Sequence, residues 1–328
     1  MNNKRTVGLT YNFRKINVPI NVPINNNKSL TRNLPAIGYN LLASSIYKLN
    51  ISPVKAFQTI TSIDYSMPES PLDKNTYDKD NVIYAMLLIN NFLLSLKNPL
   101  TPISIVGFKT ESLKYYKVSN NQPPIGFSIL SEKGDTMLIT FRGTSTLQDI
   151  LTDFKYNYYK DNNNTQSNPE TIEYAGRGFT EYYNKIQENL LKEIREKNTD
   201  QKLKRIFVCG HSLGASLAAV VSYNLSKIYT CVEFYGIAPP KTGNYQFTKS
   251  VSRNCTYAIS VINLADCVPS FILSYMYNSV SPHVPCNFSH VHPIAMFNNV
   301  KSTIEDCHYV EAYYEGVESL TPVFVPNL

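Results

Sequence analysis

A chain of 328 residues of which 43% are hydrophobic can bury a full core, so it reads as a globular protein. Its formal net charge of +6 comes from 31 Lys and Arg scattered among 25 Asp and Glu. No basic stripe of the kind that binds nucleic acid results, and a nucleic-acid partner is not expected.

In chain order, the opening "MNNKRTVGLTYNFRKINVPI" starts basic but lacks the apolar run of a signal peptide. The expectation is therefore a cytoplasmic or non-classically exported protein in preference to a secreted one. Residues 1–75, with the repeat "INVPINVPIN", an Asn run and scattered prolines, read as a partly ordered N-terminal extension, and residues 76–328 as the main domain. The greasy stretch Val82 to Leu96 is shorter than the roughly 20 residues of a membrane span and contains two asparagines, so it reads as a buried helix. Apolar runs at Gly126 to Leu130 and Met137 to Phe141, separated by "EKGD", predict paired strands.

Farther on, Leu147, Ile150, Leu151 and Phe154 fall at i, i+3, i+4 and i+7, one face of a helix. Phe179, Tyr182, Tyr183, Ile186, Leu190 and Ile194 form the apolar face of a second, amphipathic helix. Then follow a strand at "RIFVCG", a helix at "SLGASLAAVVSYNLSKI", and strands at "CVEFYGIA" and "AISVINLAD". This alternation predicts an α/β fold with a mainly parallel central sheet and helices on both faces.

Between the first of those strands and its helix stands Gly210-His211-Ser212-Leu213-Gly214. Strand, GxSxG, helix is the pattern of a nucleophile elbow, in which a serine occupies a strained turn and the flanking glycines make room for it. A nucleophilic serine also needs a base, an orienting acid and oxyanion donors. Asp266, at the end of a predicted strand downstream, fits the acid. The residues alone leave the base open among His283, His290, His292 and His308.

Over roughly residues 80 to 315 the chain resembles the class 3 lipases. "ITFRGT" is similar to the family's oxyanion strand, "GRGF" to its VHxGF helix start, and "GHSLG" to its nucleophile signature. "YGIAPPKTGNYQF" resembles its FGxPRxGNxxF segment and "NLADCVP" its NxxDxVP acid loop. The resemblance implies an α/β-hydrolase fold with Ser212 as nucleophile, Asp266 as acid and His308 as base. Oxyanion donors would come from the Leu213 N–H and from Thr144. It implies a lipid or ester substrate, which a lipid–water interface can present, and no cofactor.

The family carries its lid where Leu147, Ile150, Leu151 and Phe154 stand; a helix packed permanently on the core is the competing reading. Gly176 replaces the histidine of VHxGF, and Pro240 and Lys241 stand where the family has its arginine, neither at a catalytic position. A lipase-like scaffold without turnover is the alternative function, which the complete Ser, Asp and His set disfavours.

The six cysteines show no CxxC pair. Cys286, His290, His292, Cys307 and His308 lack zinc-finger spacing, and no metal is expected. Asp153 reads as a turn-holding residue, and nothing in the sequence indicates an oligomeric state.

Overall fold

The apolar run after Lys79 forms helix α1, Lys79–Lys97, in which every residue from Asn81 to Leu93 is buried. A helix without a polar face can only sit inside the molecule. The computed structural model describes residues 66–97, 103–143, 173–198, 200–270 and 288–326. The chain divides into two units, Met1–Leu49 and Asn50–Leu328, and all described residues lie in the second.

After α1 come β1 (Lys114–Tyr116), β2 (Gly126–Leu130) and β3 (Thr136–Phe141), then α2 (Arg177–Lys197), β4 (Arg205–His211) and α3 (Leu213–Leu225). Next are β5 (Val232–Ile237), β6 (Gly243–Asn244), α4 (Tyr245–Asn254), β7 (Tyr257–Asn263) and α5 (Cys267–Ser270). The described elements end with β8 (Phe288–Ser289), β9 (Ile294–Phe297), α6 (Ile304–His308), α7 (Val310–Ser319) and β10 (Val323–Val325).

Eight strands form one sheet in the order β1-β2-β3-β4-β5-β7-β9-β10, and β6 pairs with β8 apart from it. β3, β4, β5, β7 and β9 run parallel. β1 and β2 join antiparallel on one side and β10 on the other. From β3 to β7 each crossover steps in the same direction, and right-handed crossovers then place their helices on one face. α3 packs there on β3, β4 and β5 between α2 and α4. α1 lies on the same three strands and packs on α7, so this pair covers the opposite face. The arrangement is an α/β-hydrolase fold, with helices on both faces as the alternation predicts.

α2 shows how the pattern becomes packing. Phe179, Tyr183, Ile186, Leu190 and Ile194 are buried, while Tyr182 is only half-buried at the margin of the apolar stripe. Glu193 is buried too, because its carboxylate accepts from the Tyr116 and Ser128 hydroxyls and pairs with Lys197. The pairs Phe141↔Gly210, His211↔Ile237 and Asn263↔Phe297 align the carboxyl ends of β3, β4, β5, β7 and β9 along one edge. Functional side chains of α/β folds gather at that edge.

Candidate active site

β4 ends at His211 and α3 starts at Leu213, so Ser212 alone makes the turn, at φ 58° and ψ −127°. Holding a residue other than glycine in so sparsely populated a region costs about 1–3 kcal/mol. The Ser212 N–H donates to the Ile237 carbonyl at the end of β5 (2.9 Å), which anchors the turn to the sheet. A Cβ on Gly210 would lie 2.2 Å from the Gly214 carbonyl oxygen, and one on Gly214 2.4 Å from that of Arg142. α3 therefore folds back against β4 and against the end of β3, and only glycine fits at either contact.

Asp266 lies in the loop after β7, with 1% of its surface exposed. Its Oδ1 accepts from the Val268 N–H (2.9 Å), and its Oδ2 from His308 Nδ1 (2.7 Å) and the Tyr313 hydroxyl (2.7 Å). His308 closes α6, and its Nε2 stands 2.9 Å from Ser212 Oγ. A hydrogen-bond chain thus runs from the Ser212 hydroxyl through the imidazole to a buried carboxylate. Since the carboxylate only accepts, Nδ1 carries the proton and Nε2 is the acceptor that faces Ser212.

Sequence reading did not single out the residues that hold this chain in place. Tyr313, on α7, is fully buried; burial, then the Asp266 carboxylate, raise its phenol well above the ordinary range, so it remains a donor. Asn263, the asparagine of "NLADCVP", accepts from the N–H groups of Ala265 and Asn299 and donates to the carbonyls of Asn299 and Cys307. Its amide joins the Asp266 loop to the residue preceding His308. Gly143 abuts the elbow, where an added Cβ would meet Ser212 Cβ at 3.1 Å. Arg142 braces that strand end, donating to the carbonyls of Pro124 and Gly143. The quoted "ITFRGT" and "NLADCVP" contain three of these four residues; Tyr313 lies outside every motif.

Leu213 opens α3, where first-turn N–H groups lack an intrahelical acceptor. Thr144, the proposed second donor, and Leu147, Ile150, Leu151, Phe154, Asp153, His283 and Cys286 lie outside the described residues. His290 donates from Nε2 to the Pro269 carbonyl (3.1 Å), and burial pushes its imidazole down to about 3. His292 takes its backbone bond to Ser252, and burial lowers its imidazole as well. Among the described residues no group of three or more His, Cys, Asp or Glu side chains is placed to hold a metal ion. Among them, too, no helix is long and apolar enough to cross a membrane.

Residues 138–276, which contain the elbow and the Asp266 loop, match the family described as Lipase (class 3). Over that segment the chain is similar to the class 3 lipases. The secreted mono- and diacylglycerol lipase A of Penicillium cyclopium is 25% identical over 162 residues, covering 48% of this chain and 50% of the relative. Diacylglycerol lipase-beta of Mus musculus is 24% identical over 162 residues, 45% of this chain and 22% of the relative. The chain thus spans half or less of the length of these two relatives. Among solved structures, the Rhizomucor miehei lipase propeptide complex has a TM-score of 0.49 at 16% identity, covering 81% of this chain and 96% of that one.

The Penicillium relatives are secreted enzymes by name, and this corrects one expectation. Preference for a cytoplasmic or non-classically exported protein rested only on a missing apolar run near residue 1. Such an absence has no weight against relatives that are secreted by name.

Proposed function

We propose that this protein is a serine carboxylic-ester hydrolase of the class 3 lipase type that cleaves acyl esters of glycerolipids through an acyl-enzyme. The observation that carries the reading is the continuous hydrogen-bond chain from Ser212 through His308 to Asp266, built on a strained serine. Ser212 Oγ attacks the ester carbonyl carbon while its proton passes to His308 Nε2. The imidazolium so formed is held by Asp266 through Nδ1–H. The carbonyl oxygen, now negative, takes hydrogen bonds from the Leu213 N–H and from Thr144, each worth about 3 kcal/mol in comparable sites.

Collapse of this intermediate breaks the bond to the glycerol oxygen, which leaves with the proton from His308. Water then gives a proton to the same nitrogen and attacks the acyl-serine, and a second collapse returns the proton to Ser212 Oγ and frees the fatty acid. No cofactor enters any step. The relatives named for mono- and diacylglycerol make these esters the first substrates to try.

The test is a panel of mono-, di- and triacylglycerols beside a short soluble ester, with the wild type and Ser212→Ala. Fatty acid release by the wild type and only trace release by the variant is the expected result. Equal rates for the two proteins would refute the proposal.

A further inference from the structure

The residue before the serine does more than fill space. His211 is fully buried at the end of β4, and its Nε2 lies 2.8 Å from the backbone carbonyl oxygen of His308. A carbonyl only accepts, so Nε2 carries the proton and Nδ1 is bare. Among the described residues that buried nitrogen has no hydrogen-bond partner. Interiors rarely keep such an acceptor, since its lost hydration costs free energy that an apolar ring of the same shape would not. Retaining the imidazole here therefore points to its one engaged atom.

The ring also packs beside that of His308, with centroids 4.7 Å apart and planes inclined by 39°. On its other side the Tyr313 ring meets it edge-on, at 6.3 Å. Burial, followed by the proximity of His308, holds the His211 imidazole well below the ordinary range. It stays neutral, and so sets no positive charge beside the imidazolium that forms on His308 during turnover.

We propose that His211 is a positioning residue for His308: its Nε2–H fixes the main-chain carbonyl of the base, as Asp266 fixes the ring. The side chain of His308 has two torsions between that carbonyl and the reacting Nε2. Anchoring the main chain at one end and Nδ1 at the other leaves the ring little freedom to swing from Ser212. The elbow thereby couples its two ends, since the residue that sets the nucleophile's turn also ties down the base. This role rests on the hydrolase reading above, but its physical content, the placement of His308, does not require turnover.

His211→Phe and His211→Leu remove the donor, whereas His211→Gln keeps a side-chain N–H of similar reach. Two readouts are taken: kcat and KM on a soluble ester, and the low-field proton resonance of His308 Nδ1–H bonded to Asp266, with circular dichroism to verify folding. Misplacing a reacting group by an ångström costs about 100-fold, so donorless variants should lose about 10- to 100-fold in kcat with KM unchanged. Their Nδ1–H resonance should shift or broaden, and His211→Gln should recover most of both.

Wild-type kcat and an unmoved resonance in a folded donorless variant would overturn the proposal. So would a Gln variant as impaired as the Phe one, which would assign the effect to ring packing. If neither donorless protein folds, His211→Gln decides alone, and a loss above ten-fold with a displaced resonance contradicts the role. A wild type without esterase activity whose resonance still depends on the donor would refute the hydrolase reading and leave the positioning role standing.

Discussion

Asp266 collects three hydrogen bonds where almost no water reaches, and each donor has its own consequence. The bond from His308 fixes the tautomer. Asp266→Asn should place an amide N–H against Nδ1, favour the wrong tautomer, and lower kcat by about 10⁴-fold, the size seen in the serine-protease triad. Steady-state kinetics on a soluble ester measures this, and a mild loss would move the acid's role elsewhere. The bond from Tyr313 is subtler, because its hydroxyl also accepts from the Asn263 N–H at 3.1 Å. Tyr313→Phe leaves that N–H unpaired and the carboxylate one donor short. Thermal unfolding should show a loss of about 1–3 kcal/mol, and an unchanged melting temperature would refute the assigned partners.

For the elements, the decisive contact is α3 folding back on β4 and β3 through two glycines. Gly214→Ala would drive a methyl to 2.4 Å from the Arg142 carbonyl oxygen and 2.6 Å from that of Phe141, both main-chain atoms. Either α3 or the end of β3 must shift, which moves Ser212 against its neighbours. The variant should melt lower and, per folded molecule, turn over at least ten-fold more slowly, by the sensitivity of reacting groups to small displacements. Normal kinetics in a folded Gly214→Ala would show that the elbow tolerates the methyl.

The elbow was legible in the sequence because its causes are local: a strand, a strained residue and two glycines within five positions. β2, β3, β4, β5 and β7 were legible from apolar runs, and α2 from its stripe. β1, β6, β8, β9 and β10 were not, since two to four residues hold no period and their pairing depends on distant partners. The same distinction holds at the site. Composition and spacing left four histidines open, and only the docking of α6 beside the elbow sets His308 against Ser212. Tyr313 reaches Asp266 from α7, a contact across 47 positions that no local pattern encodes.

At the scale of the molecule, two features contribute to stability, the first far from Ser212. At the other end of β4, buried Arg205 makes a two-pronged pair with Glu233 on β5 (2.9 and 2.7 Å), and also donates to Asn81 and to the Pro68 carbonyl. Glu233→Leu would leave a guanidinium charge buried without its partner, at a cost of about 3–5 kcal/mol. Urea unfolding should show that loss, with kcat per folded molecule unchanged.

The second feature is pH. Burial holds the imidazoles of His211, His290 and His292 below their ordinary range, that of His290 down to about 3. Unfolded, each would take a proton near pH ~6.5, so the unfolded state binds more protons than the folded one below that pH. Stability therefore falls as pH drops from about 6.5 toward 3. His290→Gln should flatten this decline in melting temperature, and an unchanged slope would show that its burial does not matter to acid stability. The central claim, that Ser212 is a nucleophile activated by His308, is tested most directly by fluorophosphonate labelling followed by peptide mass spectrometry. It predicts one phosphonyl group on Ser212 and at least a hundred-fold slower labelling in His308→Ala, the lower range of general-base contributions being about 10². A label on another residue, or the same labelling rate without His308, would contradict it.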